Sequence, residues 1–401
     1  LNNLIIFTGQ SGIKAAECLS KIDCEYVPLD SAITRLSGLA FIDFLSSAQK
    51  LQYKYWTGAF KEILENKLAY DSEQESQIKT NIFFYFHASY FHQIKQELFP
   101  LINFKEIANL SGKAKMVIVL IDDIFDIFRR LMATGQMFED LNPQGNAENA
   151  DPLDAIFSSV FNIITLLRWR EMEISISRLI ANYLDIPFFV FSTKYPQFML
   201  KRLVEADLDK MKVYYLSHHI TAIRKQPEWQ RRDFTGRLNE LIRHVNAADD
   251  VMLFYPTAID ELIIERIGTE AGKWFYFPNL IQRWPNPYDG QQLCPHVDET
   301  INPLNPLNLE CERDESNPIN RSISSLLSLL WDLIYKTQTI SRDLTMVEQC
   351  KSGVIAIRPH YAGSTGLPPV NWSRYNESLK MAEEAKEARR WSNESVIIPS
   401  R

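Results

Sequence analysis

The sequence predicts an α/β protein built from two three-layer α/β/α domains, each with a mainly parallel sheet, and three observations carry that prediction. Short apolar runs alternate with helical stretches along most of the 401 residues, the pattern of strands joined by helical crossovers. That length exceeds what one hydrophobic core usually serves, so two domains are expected. The alternation also restarts after the charged stretch Asp207–Met211. A boundary there gives domains over residues 1–207 and 208–401.

In the first domain, Leu4–Phe7 is strand-like and runs into Thr8-Gly9-Gln10-Ser11-Gly12-Ile13-Lys14. A helical pattern follows through Ala15, Leu19 and Ile22, giving strand, glycine turn and helix. Further strands are predicted over Ile82–Phe86, Met116–Ile121 and Phe188–Phe191, with helices over Ala40–Asn66 and Trp169–Leu184. In the second domain the predicted strands are Val213–Leu216, Val251–Tyr255, Trp274–Phe277 and Val354–Ile357. Helices are predicted over Asp233–Val245, Ser322–Tyr335 and Arg374–Arg390. The stretch Arg283–Arg321 is rich in Pro and Asn and reads as a loop-rich insert. Arg232-Asp233-Phe234-Thr235 is echoed by Arg342-Asp343-Leu344-Thr345; both stand at predicted helix starts, where such oxygens cap free N–H groups.

Composition narrows the function classes. A net charge of −7 lacks the basic excess usual in duplex-DNA binders, so nucleic acid is not indicated. No apolar run approaches the roughly 20 residues needed to span a bilayer. Leu1–Phe7 reads as a strand rather than a signal peptide. The five cysteines, Cys18, Cys24, Cys294, Cys311 and Cys350, are odd in number and form no CxxC, which predicts no disulfide framework and a reducing, cytoplasmic setting. Cys294, His296 and Cys311 supply three zinc-ligand types where a structural site needs four at tighter spacing, so no metal site is assigned.

The glycine turn is the first chemical candidate. A phosphate-binding loop needs glycines so that backbone N–H groups can approach phosphate oxygens, a lysine for the β/γ-phosphates and a hydroxyl for Mg²⁺. Gly9, Gly12 and Lys14 keep part of this, while Ala15 stands at the hydroxyl position. Asp122-Asp123 ends the strand Met116–Ile121, where such folds place a carboxylate for Mg²⁺. Arg168 and Arg170, at the start of the helix carrying Glu171, Glu173 and Arg178, could clamp phosphates. The structural alternative is that Asp122 and Asp123 cap a helix and the arginines pair with nearby glutamates. His87 and His92, just after a strand, read as core or capping histidines.

In the order of these features, residues 1 to about 205 resemble the small P-loop kinases of the adenylate-kinase type. The resemblance implies a nucleotide site for ATP or another nucleotide, with Mg²⁺. Ile13 and Ala15 depart from the family motif and point to binding without efficient turnover.

The second candidate begins at Val213-Tyr214-Tyr215-Leu216-Ser217-His218-His219, a strand running into a polar turn. Ala248-Asp249-Asp250 precedes the next strand, and Tyr361-Ala362-Gly363-Ser364-Thr365-Gly366 is a small-residue loop after Val354–Ile357. Ligands of open α/β sheets sit at the carboxyl ends of strands. His218 and His219 could bind phosphate or exchange protons near neutral pH, and Arg224 could hold a 5′-phosphate.

Residues 210–401 resemble the nucleoside 2-deoxyribosyltransferase-like superfamily, whose members cleave or exchange N-glycosidic bonds. The resemblance implies a flavodoxin-like sheet, homo-oligomers, and a site in which Tyr215 and Asp249 match the family tyrosine and carboxylate. Gly363, Ser364 and Thr365 match its small-residue loop. Glu377 is the nearest glutamate to the family nucleophile, which would stabilise an oxocarbenium-like state. The expectation is therefore a nucleotide-binding protein that acts on the glycosidic bond of a nucleoside, nucleotide or NAD, a logic that suits anti-phage defence. The alternatives are a non-catalytic nucleotide-sensing or assembly protein, and a nucleoside or nucleotide kinase.

Overall fold

The computed structural model describes residues 4–68, 81–92, 95, 97–136, 152–218, 228–259, 263–268, 274–279, 287–288, 309–311, 342–358 and 395–399, with the backbone alone at 125, 152–161, 263–268, 274–279, 309–311, 358 and 395–399. The protein is α/β and divides into two compact units. One comprises Leu1–Lys194, Glu261–Gln282 and Leu293–Thr337; the other comprises Tyr195–Asp260, Arg283–Gln292 and Gln338–Arg401. Among the described residues, no helix is long and apolar enough to cross a membrane.

The first unit contains β1 (Leu4–Gly9), β2 (Cys24–Pro28), β3 (Asn81–Phe86), β4 (Ser89–His92), β5 (Glu97–Pro100), β6 (Ala114–Ile121) and β7 (Phe188–Ser192). Five of these form a parallel sheet in the order β2-β3-β1-β6-β7. Every residue of β1 is buried, as expected of a central strand covered on both faces. β4 and β5 form a separate antiparallel pair.

The predicted helix Ala40–Asn66 is divided into Phe41–Leu45 and Gln49–Ile63, followed by a π turn at Leu64–Leu68. Ser46 and Ser47 mark the break: the Ser47 hydroxyl donates to the Phe44 carbonyl at 2.8 Å, competing with the helical ladder. Gln49–Ile63 packs Trp56 and Phe60 against each other, with centroids 4.9 Å apart, and Phe60 against Phe84 of β3. The helix predicted from Trp169 instead begins at Pro152 and continues to Leu184, so Arg168 and Arg170 lie well inside it.

Trp274–Phe277 joins no parallel sheet. It lies in β11 (Trp274–Asn279), which pairs antiparallel with β10 (Ile263–Gly268) and β12 (Leu309–Cys311). The link from Gly268 to Trp274 is far shorter than the dozen or so residues a parallel crossover requires.

The parallel sheet of the second unit uses β8 (Lys212–His218), β9 (Val251–Phe254), β13 (Gly353–Arg358) and β14 (Ser395–Pro399), ordered β14-β13-β8-β9. Read from β9, the chain-order positions run second, first, third, fourth, the opening of the flavodoxin-like order. The helix Glu228–Asn246 leads into β9 and is pinned there by Asn246. Its side chain accepts from the Leu253 N–H at 2.8 Å and donates to the Leu253 carbonyl at 3.4 Å.

Cys18 is disulfide-bonded, whereas Cys24 and Cys350 are free thiols. The odd cysteine count argues against a disulfide framework, but spacing alone does not tell which thiols the fold brings together, so the bond at Cys18 is not foreseen. The predicted helices Ser322–Tyr335 and Arg374–Arg390 lie outside the described residues.

Candidate functional site

In the first sheet the connection from β1 runs toward one edge and that from β6 toward the other. This makes the β1/β6 boundary a topological switch point, the usual ligand crevice of an open α/β sheet. The loop Gly9–Lys14 leaves β1 there, and Asp122 follows β6 on the neighbouring strand. Gly12 adopts φ +89°, and a Cβ at this position would lie 3.2 Å from Ile127 and Leu131. Glycine is thus required both by backbone conformation and by close packing on the helix Ile124–Ala133. Lys14 stands exposed at the start of the helix Ala15–Leu19, 2.9 Å from Glu17.

Buried charge surrounds this loop on two sides. On the β6 side, Arg130 donates to the Gly12 carbonyl at 3.0 Å and to Asp122 at 2.6 Å. Asp122 also accepts from the Thr193 hydroxyl at 2.7 Å. Lys194, at the end of β7, lies 3.4 Å from Asp122 and 2.6 Å from Asp126. Burial alone would raise the Asp122 carboxyl, but Lys194 and Arg130 hold it below the usual carboxylate range. Burial would likewise depress Lys194, yet Asp122 and Asp126 raise it above the usual lysine value. Asp122 and Asp126 thus share Lys194 and Arg130 at the switch point, and buried Asp123 also acts on Lys194.

On the β3 side, the long helix Pro152–Leu184 turns Glu173 and Ser177 onto its buried face, four residues apart. Ser177 exchanges a hydrogen bond with Thr8 at 2.7 Å. Glu173 accepts from the N–H groups of Gly9 at 3.0 Å, Ala88 at 2.8 Å and Ser89 at 2.8 Å. The Ser89 hydroxyl donates to it at 2.6 Å. His87 bonds the Gly9 carbonyl through Nδ1 and lies 3.1 Å from Asp30 through Nε2. Burial would lower the His87 pKa, but Asp30 and Glu173 raise it to about 9. Burial pushes the Glu173 carboxyl up to about 7, against the opposing effects of His87 and the Ser89 and Ala88 donors.

Gly9, Gly12, Lys14 and Asp122 therefore share one edge of the first sheet. Arg170 is buried while Arg168 is exposed. Both arginines act electrostatically on half-buried Glu171, whose carboxyl burial raises. The structural alternative pairs the arginines with nearby glutamates; for Glu173, its helical phase with Trp169, Ser177 and Ile180, all buried, marks it instead as inward-facing. Asp126, Arg130 and Lys194 were not singled out at all. Lys194 carried one usable signal, its place just after a strand end.

In the second sheet the connections from β8 and β13 also diverge, so the switch point lies between them. His218 ends β8 and is paired in register with Ile357 on β13. It is buried, with its ring 6.5 Å from that of Phe234. Of the residues proposed around it, the described ones, Tyr215 and Asp249, are not grouped with it. Tyr215 is fully buried within β8, in register with Val354 and Phe254. Three positions from His218, it faces the opposite side of the sheet. Asp249 precedes β9 and so stands at the amino edge, 3.7 Å from Arg202 and fully exposed. The seven residues of β8 separate the two edges by roughly 20 Å. Asp249 therefore cannot share a site with His218 within one sheet. His219, Arg224, Gly363, Ser364, Thr365 and Glu377 lie outside the described residues.

Mg²⁺ does not fit the donor set at the first edge. Ala15 offers no oxygen, and the Asp122 carboxylate is engaged by Thr193, Arg130 and Lys194. Among the described residues no cluster of three or more His, Cys, Asp or Glu is arranged to hold a metal ion. Compared with known proteins, the chain matches no family model and no curated protein.

Proposed function

We propose that the chain binds a nucleotide at the carboxyl edge of its first sheet without catalysing phosphoryl transfer. The observation that carries this reading is the loop Gly9–Lys14, seated at the β1/β6 switch point, with Gly12 at φ +89° and an exposed lysine at the start of the following helix. The N–H groups of Gly9, Ile13 and Ala15 are bonded within the protein, so it is the Lys14 ammonium at such a crevice that suits the phosphates of a nucleotide. The Mg²⁺-dependent kinase reading is disfavoured by Ala15 and by the neutralised Asp122. Isothermal titration of the full chain with ATP and dNTPs tests the proposal. The Lys14→Ala variant should bind about 1.5–3 kcal/mol more weakly, the range for a charged hydrogen bond. Unchanged affinity would refute the phosphate-loop reading.

A second reading, cleavage or exchange of an N-glycosidic bond in the second unit, is favoured by His218 at the β8/β13 switch point of a flavodoxin-like strand order. The candidate carboxylate is Glu377. Base release from a panel of nucleosides, nucleotides and NAD, followed by chromatography, is the assay. Glu377→Gln should abolish release while sparing substrate binding. No release by the unsubstituted protein, with or without ATP, would leave nucleotide binding as its whole function.

A further inference from the structure

The peptide units on both sides of Gly9 are gripped by titratable side chains that the phosphate-loop reading does not use. Its N–H donates to Glu173 and its carbonyl meets His87. Glu173 is simultaneously tied to the backbone after β3 through Ala88 and Ser89, and Trp169 on the same helix donates to the Ser89 carbonyl at 3.2 Å. One helix therefore joins the carboxyl ends of β1 and β3 at the residue from which the loop departs. From this arrangement we infer that Glu173 and His87 are positioning residues for the Gly9–Lys14 loop, and that the proton on His87 keeps the loop closed.

The charge balance gives the direction of the effect. The groups acting on His87 are Asp30 from the helix Leu29–Ser37, Glu173 from the long helix, and the phenols of Tyr85 and Tyr90. Tyr26 on β2 acts on Tyr85. Burial pushes the phenols of Tyr85 and Tyr90 well above the usual tyrosine value, so they stay neutral. The cationic imidazole thus stands against two carboxylates. Both ring nitrogens face acceptors, the Gly9 carbonyl and the Asp30 carboxylate; a neutral ring carries one N–H, so deprotonation costs one of the two contacts and works against the grip on Gly9. With His87 raised from 6.5 to about 9, the hold on the loop is lost progressively as pH climbs from 6.5 through 9. Protonation of Glu173 on the acid side is less disruptive: Oε1 still accepts from Gly9 and Ala88, while the protonated oxygen can donate to the Ser89 hydroxyl.

The test is amide hydrogen exchange of the full chain, followed by mass spectrometry of peptides covering Gly9–Lys14, from pH 6 to 10 with intrinsic rates corrected. Protection should fall at least tenfold between pH 6.5 and 9 and change little from pH 9 to 10. Peptides from β8 serve as the internal control and should not share that step. His87→Gln should show low protection at every pH and no step. Glu173→Gln should lower protection throughout, because an amide nitrogen cannot accept from Ser89. If Glu173→Gln fails to fold, the unsubstituted profile and His87→Gln still decide the matter. PH-independent protection in the unsubstituted protein, or a step that survives in His87→Gln, overturns the inference. Its bearing on ligand binding rests on the phosphate-loop reading, but the exchange readout requires no ligand. A failed nucleotide titration and a failed clamp are therefore told apart.

Discussion

The two parallel sheets differ in how their ions are held. In the first unit, Glu173, His87, Asp122, Asp126, Lys194 and Arg130 gather at the carboxyl edge, nearly all buried. In the second, the pairs Lys212–Asp250 and Arg202–Asp249 gather at the amino edge with their carboxylates in solvent. The second unit also buries one ion pair, Arg342–Asp343, at the start of the helix leading into β13, but among the described residues the interlocked set of the first carboxyl edge has no counterpart there. Buried ions are costly to desolvate and are tolerated only when mutually satisfied.

The largest effect that would break this contrast is loss of Lys194. Lys194→Ala strands Asp122 and Asp126 in the interior, which should destabilise the first unit by about 3–5 kcal/mol in denaturant unfolding. A loss below 1 kcal/mol would mean that the edge is not interlocked. Next comes pH. A group whose folded pKa is raised stabilises fully below its unfolded pKa and loses that contribution as pH climbs through the folded value. For His87 the window runs from 6.5 to about 9, so stability should fall by up to about 3 kcal/mol across it, at 1.36 kcal/mol per pH unit. Glu173, raised from 4.5 to about 7, adds a fall of the same sign between those values. In His87→Gln the alkaline fall should disappear.

Much of this was legible in the chain, and the failures share a cause. β1, β3, β6, β7, β8, β9 and β13 all stand where apolar runs predict them, because a strand buried on both faces must be continuously apolar. The loop after β1 was readable because Gly9 and Gly12 follow such a run directly. What escaped was anything settled by partners distant in sequence. Glu173 meets Gly9 and Ala88 across 164 and 85 positions, and nothing in its neighbours Arg168, Arg170 and Arg178 reveals that. Asp249 illustrates the same limit: an acid before a strand reads alike at either edge until the strand direction is known.

Smaller effects sharpen the comparison. Gly12→Ala forces a side chain into φ +89° against Ile127 and Leu131 and should destabilise by roughly 1–2 kcal/mol, the cost of left-handed backbone for an L-residue, read as a lower unfolding midpoint. Lys212→Ala, by contrast, removes an exposed pair at the amino edge of the second sheet. It should leave the unfolding midpoint unchanged, because solvent screens such pairs.

We propose that a nucleotide sits at the interlocked edge of the first sheet. The most direct test of this proposal is amide exchange of the full chain with and without saturating ATP at neutral pH. Binding at the β1/β6 switch point should protect peptides spanning Gly9–Leu19 and Asp122–Arg130, with no change in β8 or β9. Protection confined to the second unit, or none despite saturation, would contradict the account.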